Sequence, residues 1–341
     1  DEELFGHLFH KNLKGRNIEE AALKTMNELD IGTYYSLTAL IQRDNESNLV
    51  AMRDKRGVKP MYMGRTESSV FIASESGAIE TLRTILDDYM EMRDIVPGEL
   101  IIAGSDGIEI KQLIKPKPSH CVFEWIYTSR PDAVIEGRTA HQVRKKAGEL
   151  NVKLHNLKDD GNSVIIGVSD SGRSVALGAA MASGIPFDEG IIKNQYIGRT
   201  YIIPDDKERD IAAMLKHNPI KEVIAGKRVI IGDDSIVRGT ISEALARTLL
   251  NTGAKSVDML ISYAPIFYPC FTDPVDKKLA CKGMENLPLD EIERKVAENL
   301  KVIKNVYYNS VENVIKAVGL PEESLCTYCI TGKNPFSDCS V

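Results

Sequence analysis

The spacing of apolar positions changes character near residue 139. Before it, Ile18, Ala22, Met26 and Leu29 recur at helical intervals and predict a helix over Ile18–Leu29. Asn17 stands where an N-cap belongs, with Glu20 three residues on. Tyr34–Gln42 and Leu49–Arg53 read as strands separated by the polar turn 43–48, and Val70–Ala73 and Glu99–Ala103 read as further short strands. Strands in succession imply antiparallel pairing and an α+β unit. Residues 111–138 hold Pro116, Pro118 and Pro131 and little periodicity, so they read as a linker between two domains.

From residue 139 short apolar strands alternate with helices. Thr139-Ala-His-Gln142 has the form of a capping box, and Val143, Ala147 and Leu150 continue its helix. Strands are expected at 163–168, 200–203, 228–231 and 256–261, and helices at 174–182, 211–216, 242–250, 290–300 and 311–318. Ser310 is a good N-cap and Gly319 a good stop for the last helix. Such alternation implies a parallel sheet with right-handed crossovers. The fold class is therefore α+β followed by α/β.

Composition narrows the function. Across 341 residues, 43 Lys and Arg face 49 Asp and Glu, a net charge of −6. A nucleic-acid backbone as main partner calls for a basic excess, which is missing. No apolar run reaches the roughly 18 residues needed to cross a bilayer, so membrane association is not expected and the cytoplasm is the expected compartment. Six Cys are too few for a disulfide scaffold in a chain of this length.

Chemistry concentrates in Lys227–Ser242, K-R-V-I-I-G-D-D-S-I-V-R-G-T-I-S. An apolar strand ends in Asp233 and Asp234. The loop Ser235, Ile236, Val237, Arg238, Gly239, Thr240 then leads into a helix. Such a turn offers backbone N–H groups and a positive dipole end to a phosphate. Paired acids suit sugar hydroxyls or Mg²⁺. A phosphorylated sugar satisfies both. The plainer alternative is that the acids cap the following helix. A second turn, Val168-Ser-Asp-Ser-Gly-Arg173, also joins a strand to a helix, with Asp170 or Ser171 as ordinary caps in the plainer alternative. Lys193 and Arg199 lie between the two loops and could offset a pyrophosphate, although most Lys and Arg are simply solvated.

The first string closely resembles the phosphoribosyl-pyrophosphate (PRPP) loop of type I phosphoribosyltransferases. Wider strings resemble the amidophosphoribosyltransferase family. They are Cys121–Asp132, Asp170–Gly178, Ala182–Pro186, Lys193–Pro204 and Arg228–Ser242, with Arg53–Pro60 and Ala73–Ser76 resembling its glutaminase half. The resemblance implies a partial N-terminal-nucleophile (Ntn-type) glutaminase domain, an antiparallel αββα sandwich, over 1–113. A phosphoribosyltransferase domain with C-terminal helices and a cysteine cluster would occupy 114–341. It implies a glycosyltransferase that makes 5-phosphoribosylamine from PRPP and glutamine-derived ammonia, in purine biosynthesis. Ser171, Asp233 and Asp234 would then serve Mg²⁺, Ser235–Thr240 the 5-phosphate, and Lys193 and Arg199 the PRPP. Purine nucleotides as feedback inhibitors and a homo-oligomer are further implications. Two departures stand out: the segment after Pro204 carries Arg209 and Lys216 but Met214 in place of a third basic residue, and Ile241 replaces a Thr.

Cys326-Thr-Tyr-Cys329 is a C-x-x-C pair that could serve a metal, a redox dithiol or neither. Spacing does not select its partners among Cys121, Cys270, Cys281 and Cys339. The resemblance implies Cys121, Cys270, Cys326 and Cys329 as ligands of a 4Fe–4S cluster in one branch of the family, with Zn the alternative for four thiolates. Cys281 and Cys339 stay unassigned. The family's glutaminase uses an N-terminal Cys as nucleophile, and no Cys precedes position 121 here. The chain opens at Asp1-Glu2-Glu3-Leu4, so a truncated form of a longer enzyme is expected, with Asp1 placed to hold the glutamine amine. A natural ammonia-dependent short form, a salvage phosphoribosyltransferase and a PRPP-sensing regulator are the competing readings. A hood segment for a nucleobase and a basic DNA-binding helix, which the last two require, are not evident.

Overall fold

The computed structural model describes residues 2–29, 32–43, 46–193, 217–271 and 278–337. The first part opens with helices α1 (Glu2–Leu13) and α2 (Ile18–Leu29). α2 has the expected bounds, and its cap is reciprocal: Asn17 Oδ1 accepts the Glu20 N–H at 2.8 Å while Glu20 Oε2 accepts the Asn17 N–H at 3.3 Å. α1 was not expected from the spacing, although its apolar residues Phe5, Phe9 and Leu13 pack toward α2 and the sheet.

Strands β1 (Ser36–Arg43) and β2 (Glu46–Arg53) pair antiparallel in register Ser36↔Arg53. Both run further into the polar turn than apolar spacing predicted, because ladder hydrogen bonds do not require apolar side chains. β3 (Tyr62–Arg65), β4 (Val70–Ala73), helix α3 (Ser76–Leu86) and β5 (Glu91–Asp94) follow, then β6 (Glu99–Gly104) and β7 (Gly107–Gln112). They form two antiparallel sheets, β1-β2-β6-β7 and β4-β3-β5. Val50, Met52 and Leu100 face the two helices, whereas Ala51, Ile95 and Ile101 face Met61 and Met63 of the second sheet.

The stretch expected to be an irregular linker is instead built into the structure. Its backbone is hydrogen-bonded beside the Arg53–Pro60 turn: Lys117 N–H to Lys55 O at 2.8 Å, Ser119 to Arg56 at 2.7 Å and Cys121 to Val58 at 3.1 Å. β8 (His120–Cys121) leads into a π-helical turn, Glu124–Thr128, and the hairpin β9 (Val134–Ile135) and β10 (Arg138–Thr139). Trp125, Ile126 and Ala133 are fully buried. Low periodicity here reflects short paired segments in which buried and exposed residues alternate irregularly, not a free linker.

Helix α4 (Ala140–His155), β11 (Ser163–Gly167), α5 (Ser169–Ser183), β12 (Ile191–Lys193) and β13 (His217–Pro219) come next. β14 (Arg228–Asp233), α6 (Thr240–Asn251), β15 (Ser256–Ile261), α7 (Leu289–Asn299), β16 (Asn305–Tyr307) and α8 (Val311–Val318) complete the expected alternation. β11, β14, β15 and β16 form one parallel sheet in that order. Its strands are apolar and buried along nearly their whole length, as sheets covered on both faces require. Thr139 is the N-cap of α4 but makes no side-chain cap bond, so the expected capping box does not form; Thr139 is committed to β10 instead. α5 starts five residues earlier than expected, since helix geometry begins directly after the strand. Ser310 caps α8 by accepting the Asn313 N–H, and Gly319 ends it in the left-handed region.

The β9–β10 hairpin tip joins the two parts. Glu136 and Gly137 both take positive φ, +48° and +70°. Glu136 Oε1 accepts from Arg53 Nη1 at 2.7 Å, and Arg53, wholly enclosed, also donates to the carbonyls of Ile95, Lys59 and Gly57. Asp94 accepts the backbone N–H groups of Glu136 and Gly137, and burial, followed by the Glu136 charge, pushes its carboxyl up to about 6. A carboxyl raised on folding contributes stability that is full below about pH 4 and lost as pH climbs through about 6. Asp94→Asn is accordingly expected to unfold in urea with a free energy that declines less between about pH 4 and about pH 6.5 than the parent's. Equal declines would contradict this role for Asp94.

Candidate functional site: two phosphate-type turns on one sheet edge

β11 and β14 lie side by side in parallel, with Gly167 opposite Gly232, so both strands deliver their following turns to one edge. Ligands of parallel sheets bind beyond the carboxyl ends of the strands. Glycines let the two turns meet. A side chain on Gly172 would collide with the Gly232 carbonyl, and one on Gly232 would meet Ala176 at 2.9 Å. Val168 N–H reaches Gly232 O at 3.1 Å, which locks the start of α5 to β14.

The acids therefore stand beside the start of α5. Ser171 Oγ donates to Asp234 Oδ2 at 2.6 Å, and Ser235 Oγ donates to Asp234 Oδ1 at 2.7 Å. Neither acid caps a helix. The N-cap of α6 is Gly239, at φ +87°, packed on Leu300, and the N-cap of α5 is Val168, with no side-chain cap bond at either. Burial, followed by the neighbouring Asp234 charge, pushes the Asp233 carboxyl well above the carboxylate range. Asp234 N–H also donates to Asp233 Oδ1 at 2.9 Å. In the loop, Ile236 and Gly239 are buried, while Val237, Arg238 and Thr240 face outward.

Lys193 ends β12, half exposed, with Nζ 3.7 Å from Asp170 Oδ2, so it lies on the α5 side of the same edge. Asp1 and Arg199 lie outside the described residues. So do the strand expected at 200–203, the helix expected at 211–216, Arg209, Met214, Lys216 and Cys339.

Of the cysteines, Cys326 in β17 (Leu325–Cys326) is directly opposite Cys121 of the parallel strand β8. Cys329 follows one turn later, and the charge of Cys270 would act on both Cys326 and Cys329. Burial raises the Cys121, Cys326 and Cys329 thiols, Cys329 to about 12. Among the described residues no three or more His, Cys, Asp or Glu are gathered tightly enough for a single metal ion. Phe271, Tyr328, Phe336 and Tyr268 crowd around this corner, and Arg56 lies 5.0 Å over the Phe336 ring. Lys59, from the first part, pairs with Glu124 at 2.6 Å, three residues after Cys121. Cys281 is separate, its thiol donating to Tyr308 at 3.5 Å.

Two contributors were not visible in the sequence. Arg144, fully buried in α4, donates to the carbonyls of Trp125 and Ser129 and so holds both ends of the π turn. Tyr263, just past β15, donates its backbone N–H to Asp234 O at 3.0 Å. Both look like ordinary members of apolar stretches, and only a buried cation inside a helical face hints at the first.

Residues 19–81 match the model of a glutamine amidotransferase domain. The chain is 36% identical to an amidophosphoribosyltransferase of Methanocaldococcus jannaschii, over 98% of this chain and 70% of that protein. The chain belongs to the amidophosphoribosyltransferase family. A Mycobacterium bovis member is 35% identical over 98% of this chain, which spans 61% of that relative's length. Among solved structures, glutamine PRPP amidotransferase from B. subtilis, complexed with ADP and GMP, superposes with a TM-score of 0.81 at 30% identity, covering 98% of this chain and 70% of that one. The mixed α+β and α/β architecture matches that family's.

Close approach at Gly172 is the packing feature that sets the site. Gly172→Ala is expected to lower unfolding stability by about 1–3 kcal/mol, as overpacking does. Urea titration followed by circular dichroism measures it, and an unchanged midpoint would show that the α5 start is free to move.

Proposed function

We propose that this chain carries the phosphoribosyl-transfer chemistry of an amidophosphoribosyltransferase, forming 5-phosphoribosylamine from PRPP and glutamine-derived ammonia in purine biosynthesis. The observation that carries the reading is the Ser171–Asp234 hydrogen bond, which unites two phosphate-type turns on one parallel-sheet edge. Ser235, Ile236, Val237, Arg238, Gly239 and Thr240 cradle the 5-phosphate on backbone N–H groups at the start of α6. Asp233 and Asp234 face the ribose hydroxyls. Lys193 and Arg199 neutralise the pyrophosphate. Ammonia attacks the anomeric carbon as pyrophosphate departs, so the protein's task is to position the two reactants and stabilise charge.

The crowded acid pair fits a divalent cation, since burial and then the Asp234 charge suppress ionisation of Asp233 in the absence of one. Mg²⁺ would be held by Ser171, Asp233 and Asp234 and would offset charge on the leaving pyrophosphate. Cys121, Cys270, Cys326 and Cys329 fit a 4Fe–4S cluster as ligands. Zn²⁺ is the alternative for the same four thiolates. The cluster's place is structural, tying the C-terminal turn to β8. The glutaminase unit occupies 1–113, with Asp1 at its glutamine-amine position, and the transferase unit 114–341. The working form is a cytoplasmic homo-oligomer inhibited by purine nucleotides. In support, the B. subtilis structure holds ADP and GMP, and no described helix is long and apolar enough to cross a membrane.

The test is pyrophosphate release from PRPP with ammonium as acceptor, in Mg²⁺ buffer. Release is expected, with Asp233→Asn and Asp234→Asn each losing on the order of 100-fold in kcat/KM, the scale of one removed electrostatic contributor. Turnover with a purine base but not ammonia would replace this reading by a salvage enzyme. PRPP binding without turnover would replace it by a sensor.

A further inference from the structure

Tyr263 connects the acid loop to the cysteine corner. Its backbone N–H donates to Asp234 O at 3.0 Å, and its neighbour Ser262 donates N–H to Asp233 O at 3.0 Å and Oγ to Asp234 O at 3.2 Å. The ring is fully buried and packs against Phe123, two residues after Cys121, with centroids 5.2 Å apart. Its hydroxyl oxygen lies 3.1 Å from Cys329 Sγ. A buried phenol seeks a hydrogen-bond partner, and here the partner is a sulfur. A thiolate has no proton to give, so whenever Cys329 is ionised the phenol is the donor.

We propose that Tyr263 is a positioning residue for the cysteine site, donating its hydroxyl to the Cys329 sulfur when that sulfur ligates metal. The proposal rests on the ligand reading of Cys121, Cys270, Cys326 and Cys329. Hydrogen bonds to ligand sulfurs stabilise them and tune cluster potential. Tyr263 supplies one from the residue whose main chain braces the acid loop. Its side chain serves the sulfur and its backbone serves Asp234, so the two roles separate by mutation.

Tyr263→Phe keeps the ring contact with Phe123 and the backbone bond to Asp234, and removes only the donor. The parent and variant are purified without oxygen, and iron release to a colorimetric chelator is followed with visible absorbance. The variant is expected to lose iron about tenfold faster, which corresponds to about 1.4 kcal/mol. Its reduction midpoint is expected to move to more negative potential, and PRPP affinity of the loaded protein is expected to stay within about twofold. Equal release rates and midpoints would overturn the role of Tyr263 while leaving the cluster in place. A colourless parent that holds neither iron nor zinc would overturn the ligand reading and the proposal with it. PRPP binding by that parent would show that the transferase reading still stands.

Discussion

The close approach of the α5 start to the end of β14 is the constraint on which the site depends. Gly172 and Gly232 have no side chains, so the two backbones can touch, and Ser171 can then reach Asp234. Each element alone is an ordinary strand-to-helix turn. Brought together, they place two turns and an acid pair on one edge of the parallel sheet. The cost is electrostatic: burial, followed by the neighbouring Asp234 charge, pushes the Asp233 carboxyl well above the carboxylate range.

The rest of the molecule supports that edge from two directions. α4 packs on α5, where side chains on Gly148 and Gly178 would run into backbone atoms of the opposite helix. From its other side, Arg144 fixes the π turn through two carbonyls. That turn is joined to the first part of the chain by Lys59–Glu124, and the hairpin after it by Arg53–Glu136. One partner of each pair, Glu124 and Arg53, is buried, so removing Lys59 or Glu136 would leave a charge uncompensated in a dry setting. The two parts are thus held by a few specific bonds as well as by packing.

Much of this was legible in the sequence. α2, β4, β15 and α8 have the bounds that apolar spacing predicted, because each buries one clean face or is apolar throughout. The strand end at Asp233–Asp234 and the loop after it were readable because acids, hydroxyls and Gly occur in one short string. Other features were hidden. The stretch before residue 139 is aperiodic because its buried residues, among them Trp125, Ile126 and Ala133, alternate irregularly with exposed ones and share no single face. Thr139 matched a capping box but was drawn into β10. The Asp-Asp pair resembled caps, yet Gly239 fills that position. Tyr263 and Arg144 act through contacts with residues far along the chain, and local pattern carries no trace of them.

The most direct measurement of the central claim is calorimetric titration of the protein with PRPP, with and without Mg²⁺. The account predicts saturable binding at one site per chain that is strengthened by Mg²⁺ and weakened by Ser171→Ala. Absence of heat in both buffers, or binding indifferent to Mg²⁺ and to Ser171, would contradict it.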